Sequence, residues 1–184
     1  MNIDPLIKAA WINELCESCA WEIYGNVKPS NEYAQATAQL LKGTVAHESD
    51  LFRHTRQMGF SWNSDSGAWG LAQCELGSVT DSIKYLKARP ELTRRCAVWL
   101  ADDKDANLNW LFAMRPVDVL RLLPVSDQLS ILFMRLHYMR RPEPIPRDLS
   151  SQDQYYKKFY NTSAGSAVLG DFTRALKRFE EKLR

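Results

Sequence analysis

The sequence predicts a mainly α-helical chain forming a single domain over residues 1–184. Three observations carry that expectation. Apolar residues recur at three- and four-residue spacing through nearly every segment. Capping residues and prolines stand where helices should begin. No alternating polar and apolar series marks a run of strands.

Taken in order, Asp4 before Pro5 reads as an N-cap with a first-turn proline. The helix that follows carries Leu6, Ile7, Trp11 and Leu15 and is expected to stop by Gly25. A second helix should start near Ser30 or Asn31, with Tyr33, Thr37, Leu40, Leu41, Thr44 and Val45 along one stripe that leads to Glu48. Between Gly59 and Gly77 a loop rich in Gly, Ser, Asn and Asp also holds Phe60, Trp62, Trp69 and Leu71, a plausible cleft wall.

Ser78 to Asp81 reads as a capping box, Pro90 as the start of another helix, and Leu108, Leu111 and Phe112 as helical spacing ahead of Pro116. Asp127 is the expected cap of a helix with Leu129, Leu132, Phe133 and Leu136 on its apolar face and Arg140 and Arg141 at its negative end. Pro142 to Pro146 should form a stiff connector, after which Ser151 and Gln154 cap a short helix through Tyr155 and Phe159. A last amphipathic helix begins about Asp171. No internal repeat and no long flexible linker interrupts the series.

The 184 residues are 45% hydrophobic, enough for one sizeable core. Lys and Arg number 24 and Asp and Glu 22, a formal charge of +2, so no bulk field argues for nucleic acid or a lipid surface. Arg94-Arg95, Arg140-Arg141 and the basic tail leave a helical DNA-binding protein only as a weak reading. No segment reads as a membrane span or secretion signal, so cytoplasmic synthesis and no stable membrane insertion are expected. Cys16, Cys19, Cys74 and Cys96 read as free thiols. The pair Cys16 and Cys19 lacks the second half of a zinc site and fits one packed helical face.

Glu48 is the residue that points to chemistry. Stepping back through Thr44, Leu41 and Leu40 places its carboxylate on the apolar side of a helix, near the end. An apolar wall disfavours the charged carboxylate and suits a general acid. The plainer alternative is a carboxylate at a frayed helix end, solvated or paired with Arg53 or Arg56. His47 and His54 flank the acid, but their spacing is not that of H-E-x-x-H, and His47 is expected on a different face, so no metal is expected.

Around Glu48 the chain reads Gly43-Thr44-Val45-Ala46-His47-Glu48-Ser49, and then Gly67-Ala68-Trp69-Gly70-Leu71-Ala72-Gln73. A third stretch reads Tyr160-Asn161-Thr162-Ser163-Ala164-Gly165. In this order the three segments resemble the signature of family-23 lytic transglycosylases and goose-type lysozymes: a helix ending in Glu-Ser, a turn of the form G-A-x-G-L-x-Q, and a later Y-N-x-x-x-G. More loosely, the layout is similar to small hydrolase-like proteins of tailed bacteriophages.

The resemblance implies a lysozyme-like fold with a Gly- and Trp-rich cleft loop and a peptidoglycan glycan strand as substrate. It also implies that Glu48 protonates the glycosidic oxygen between N-acetylmuramic acid and N-acetylglucosamine, without a cofactor. Ser49 and Gln73 would orient sugar or glutamate, Tyr160 and Asn161 would hold the acid by hydrogen bonds, and Trp62 and Trp69 would stack on sugars or, as readily, pack in the core. Glu75, and less so Asp65, are candidate second carboxylates. Ala72 stands where the family has a larger apolar residue, and Lys157, Lys158 and Phe159 precede Tyr160 in place of small residues.

With no secretion signal expected, the route to the wall is either packaging in a particle or release through a separate membrane pore at lysis; association with a virion, and action in the periplasm or cell wall, is the expectation. An alternative remains open: a catalytically silent, lysozyme-like tail or virion protein that binds peptidoglycan or other phage proteins.

Overall fold

The computed structural model describes residues 4–57, 67–161 and 166–184. Helix α1 (Pro5–Glu22) begins as its sequence signals, with the Asp4 carboxylate accepting from the Leu6 amide at 2.7 Å and Pro5 in the first turn. It buries Ala9, Ile12, Cys16 and Cys19, a three- and four-residue stripe, so the CxxC is one packed face. Helix α2 (Asn31–Glu48) starts on Ser30, whose hydroxyl accepts from the Tyr33 amide.

Helices α3 (Leu76–Lys87), α4 (Pro90–Ala101), α5 (Asn109–Ala113) and α6 (Pro116–Leu122) follow, α6 running into a single 3-10 turn at Leu123–Val125. Helix α7 (Asp127–Met139) is buried on every side from Leu129 to Leu136 and touches α1, α2, α3 and α4. Helix α8 (Leu149–Tyr156) continues into a π-helical turn at Lys157–Asn161, and α9 (Asp171–Glu181) ends the described chain as expected.

One contiguous apolar cluster runs from Ile12 of α1 through Leu40, Phe133 and Tyr138 to Phe179 of α9. Two close approaches set how α2 sits in it. At Gly43 an added Cβ would lie 2.4 Å from the Phe172 ring, so α9 packs on α2 at a distance only glycine permits. On another face, Tyr138 of α7 and Thr44 share a buried hydrogen bond of 2.7 Å, and the threonine hydroxyl donates back to the Leu40 carbonyl. Both contacts fall within two turns of Glu48, so the last turns of α2 are held from two sides.

The expected mainly helical architecture is what the structure shows. Among the described residues there is no strand, only the isolated bridges Arg56–Trp69 and Trp69–Cys74. Several helix starts differ from the sequence reading. Helix α3 begins at Leu76 with Glu75 at its N-cap and no side-chain cap, because Ser78 is turned to His137 instead. The cap of α7 is Ser126, accepting from Leu129, while Asp127 pairs with Lys8 across the core edge. The cap of α8 is Asp148, three residues before Ser151, whose amide it binds.

Candidate active site

Glu48 closes α2, and the chain turns back on itself at once. Asp50, Leu51 and Phe52 have φ of 44°, 54° and 72°, three successive non-glycine residues in the left-handed region. Each costs on the order of 1 kcal/mol or more, so the turn needs outside support. Ser49 provides it. Its hydroxyl, fully buried, donates to the Val45 carbonyl at 2.6 Å and accepts from the Phe52 amide at 2.8 Å. Of the two expected roles, orienting sugar or orienting the glutamate, the buried Ser49 has no surface for sugar, and it braces the turn directly after Glu48.

The segment from Gly67 to Cys74 folds as a tight turn beside this helix end. Trp69 and Cys74 exchange two backbone hydrogen bonds of 2.9 and 2.8 Å, and Gly70 donates to the Thr55 carbonyl. Gly70 has φ +78°, and a Cβ there would come within 2.5 Å of the Ser130 hydroxyl and 2.7 Å of Leu123. Gln73, also left-handed, folds its side-chain amide onto the Gly70 carbonyl at 2.9 Å. Trp69 is 2% exposed, with the Arg56 guanidinium 3.5 Å over its ring. That ring belongs to the core and is covered, so the expected stacking on sugar does not apply to Trp69.

The third wall comes from the end of α8. Tyr156 is the last α-helical residue, and its hydroxyl donates to Glu48 Oε1 at 2.5 Å and lies 2.7 Å from His47 Nδ1. A phenol has one hydrogen; with it committed to the carboxylate, His47 must supply the hydrogen of the second bond through Nδ1. The order is therefore His47 to Tyr156 to Glu48. Tyr160, one turn on in the π segment, stacks on Tyr156 with centroids 6.1 Å apart but donates to the Ala72 carbonyl and approaches Cys74 Sγ at 3.7 Å. The partner of the acid is thus Tyr156 and not the expected Tyr160, which ties the Gly70–Gln73 turn to α8.

The electrostatics follow from these placements. Burial, then the Glu48 charge, push the Tyr156 phenol far above the usual range, so it stays a donor. A hydrogen bond from Asn161 opposes that rise. Burial likewise raises Tyr160, and raises the Cys74 thiol to about 12, with Glu48 and Glu75 both adding to the thiol's shift. His137 goes the other way, down to about 4, through burial first and then Arg141 and Arg140. Its Nε2 lies 2.7 Å from the Phe159 carbonyl and its Nδ1 2.9 Å from the Ser78 hydroxyl.

These elements enclose an open cleft of about 740 Å³. Glu48, Gln73, Glu75, Tyr160 and Asn161 line it, as do His47 and His137. Glu48 keeps 16% of its side-chain surface exposed, and among the described residues nothing hydrogen-bonds its Oε2. Arg53 pairs with Asp50 and the Arg56 guanidinium lies over Trp69, and among the described residues no arginine is paired with the Glu48 carboxylate. Glu75 stands exposed at the cleft rim. Asn161 accepts from Lys157 and from the Ala167 amide, pinning the chain on both sides of the π turn. Trp62 and Asp65 lie outside the described residues.

Sequence reasoning missed Tyr156 and His47. His47 was expected on another face because neighbouring helical residues diverge by about 100°, yet Tyr156 sits between the two side chains and joins them. The signal for Tyr156 was present as a second tyrosine four residues before Tyr160, one helical turn away. No group of three or more metal-ligating side chains occurs among the described residues. No described helix is long and apolar enough to cross a membrane. Comparisons with protein-family models, curated proteins and solved structures give no match in any of the three.

Proposed function

We propose that this chain is a peptidoglycan-cleaving glycosidase with a lysozyme-like fold, a lytic transglycosylase or muramidase in which Glu48 is the single catalytic acid. The observation that carries this reading is the Glu48 carboxylate at the end of a helix, with Oε1 held by Tyr156, no hydrogen-bond partner for Oε2 among the described residues, and an open cleft of about 740 Å³ that the residue lines. A carboxyl group held by one oxygen presents its proton on the other, as a general acid requires.

In this reading Glu48 Oε2 gives its proton to the glycosidic oxygen as the bond from muramic C1 breaks. The oxocarbenium-like centre is stabilised by the substrate's own N-acetyl oxygen, so a second carboxylate is not needed. Glu48 then takes a proton back, either from the muramic 6-hydroxyl as it closes on C1, giving the anhydro sugar, or from water, giving the reducing sugar. Gln73 and Asn161 offer amides to the strand, and Glu75 stands at the rim where it could orient the incoming hydroxyl. No cofactor enters. The site of action on this reading is the cell wall, with the protein carried in a phage particle.

Release of soluble muropeptides from purified peptidoglycan, by wild type and by Glu48→Gln, is the test. Anhydro or reducing products formed by wild type alone support the reading and name the reaction; no release by either protein overturns it.

One observation favours the silent virion or tail protein instead. Leu6, Ile7 and Trp11 of α1 are 53%, 63% and 50% exposed, an apolar surface of the kind assembly covers. On that reading Glu48→Gln still sediments with cell wall or with phage particles, and wild type releases nothing.

A further inference from the structure

Arg135 lies on α7 with 3% of its surface exposed, and its single hydrogen bond runs from Nε to the Ile23 carbonyl at the end of α1. Its two Nη groups make none, and no carboxylate pairs with it among the described residues. A guanidinium keeps its charge inside a protein, and a buried charge is ordinarily paired. The titratable groups that feel this one are neutral: burial raises the Cys19 thiol, and holds Cys96 and Tyr155 up at about 12.

The side chain borders an open pocket of about 350 Å³ that, among the described residues, shares no lining residue with the Glu48 cleft. Tyr24, Tyr33, Tyr155 and Pro144 form its apolar walls, and Arg141 stands beside Arg135. Arg141 Nε is also buried without an acceptor among the described residues. The one acid on the wall, Glu143, is committed to Lys158 at 2.9 Å. The cavity therefore holds two guanidinium groups and a surplus of positive charge, within tyrosine and proline walls.

We propose that this cavity is a second binding site, separate from the Glu48 cleft, and that it takes a carboxylate carried on a short apolar or peptide body. The Nη pair of Arg135 matches the two oxygens of a carboxylate as a fork, and the rings cover the body behind it. A carboxylate spends both oxygens on the fork and its body on the tyrosine and proline rings, whereas inorganic phosphate has no body for those rings to cover.

The test uses the full chain and three probes: N-acetyl-alanyl-alanine, the same dipeptide as its C-terminal amide, and inorganic phosphate, each titrated by amide NMR. The acid is expected to shift signals of Tyr24, Tyr33 and Tyr155 saturably, with the amide at least about tenfold weaker. Arg135→Lys, which keeps the charge but loses the fork, is expected to weaken the acid by about tenfold while thermal melting shows a folded protein. Equal binding of acid and amide, no saturable shift with either, or binding of phosphate alone overturns the assignment. Because wild-type protein with the acid and amide pair already decides the matter, an unfolded Arg135→Lys leaves the result intact. Peptidoglycan cleavage is not part of the readout, so the fate of the Glu48 reading does not enter.

Discussion

The Tyr156 hydroxyl stands 2.5 Å from Glu48 Oε1, although 108 residues separate the two in sequence. The last turn of α8 is thereby fixed to the last turn of α2, and the acid is oriented by a group that cannot ionise in its place. Tyr156→Phe removes the hydroxyl and keeps the ring stacked on Phe172 and Tyr160. On the proposed reading of Glu48 as the catalytic acid, peptidoglycan turnover is expected to fall by about 10- to 100-fold in kcat with KM little changed. A kcat equal to wild type would show that Tyr156 does not orient the acid.

The His47 Nδ1 lies 2.7 Å from that phenol but 3.9 Å from Glu48 Oε1, so most of its effect on the carboxylate should vanish when the phenol is gone. Asn at position 47 can offer a side-chain N–H near the place of Nδ1, whereas Ala offers none. His47→Asn is expected to keep kcat within about threefold of wild type and His47→Ala to lower it by about tenfold. The double variant with Tyr156→Phe should be no slower than Tyr156→Phe alone. Additive losses would mean that His47 works by another route.

Spacing located the helices better than their buried faces: Cys16 and Cys19 are the packed face expected of them, but of the stripe Leu6, Ile7, Trp11 and Leu15 only Leu15 is buried. Asp4, Ser30 and Asp171 also marked helix starts where the structure has them. Ser78, Asp127 and Ser151 did not, since a capping residue is recognised by a local pattern that several neighbours can satisfy, and long-range partners such as His137 and Lys8 decide among them. The position of Glu48 at the end of its helix was legible from the stripe behind it. Its link to Tyr156 was not, because no local rule specifies which of two tyrosines a turn apart meets a carboxylate on a distant helix. Trp69 stayed open for a related reason: an aromatic beside glycine reads the same whether it faces ligand or, as here, is buried under Arg56.

The left-handed run after Glu48 depends on Ser49, whose hydroxyl makes two of the turn's hydrogen bonds. Ser49→Ala strips the Phe52 amide of its acceptor in a partly buried place and leaves the three strained residues less supported. A loss of about 1–3 kcal/mol in stability is expected, read as a lower midpoint in urea unfolding. Asp50→Gly should act oppositely in the backbone, easing φ 44°, while giving up ion pairs with Arg53 and Arg178. Unchanged stability in Ser49→Ala would remove the account of the turn given by its hydrogen bonds.

Gly70 and Gly25 make a matched pair of substitutions. At Gly70 a methyl group meets Ser130 and Leu123 well inside contact distance, with the backbone at φ +78°, so Gly70→Ala is expected to cost about 2–4 kcal/mol. At Gly25 nothing lies within 4 Å of an added Cβ and φ is not positive. Gly25→Ala should be neutral or stabilise by up to about 1 kcal/mol. Thermal melting of both variants checks the contrast, which fails if the two shift alike.

His137 gives the fold a dependence on acid. Burial lowers its pKa in the folded chain from 6.5 to about 4, so the unfolded chain binds a proton at a pH where the folded one does not. Its contribution to stability is therefore complete above about pH 6.5 and is lost as pH falls toward 4, by on the order of 1–3 kcal/mol. His137→Gln cannot titrate, and an amide at that position can still donate to the Phe159 carbonyl or accept from Ser78. Urea unfolding of the two proteins at pH 7 and pH 4.5 is expected to show a steeper loss for wild type. Parallel losses would assign the acid sensitivity to other groups, since the remaining carboxylates titrate equally in both proteins.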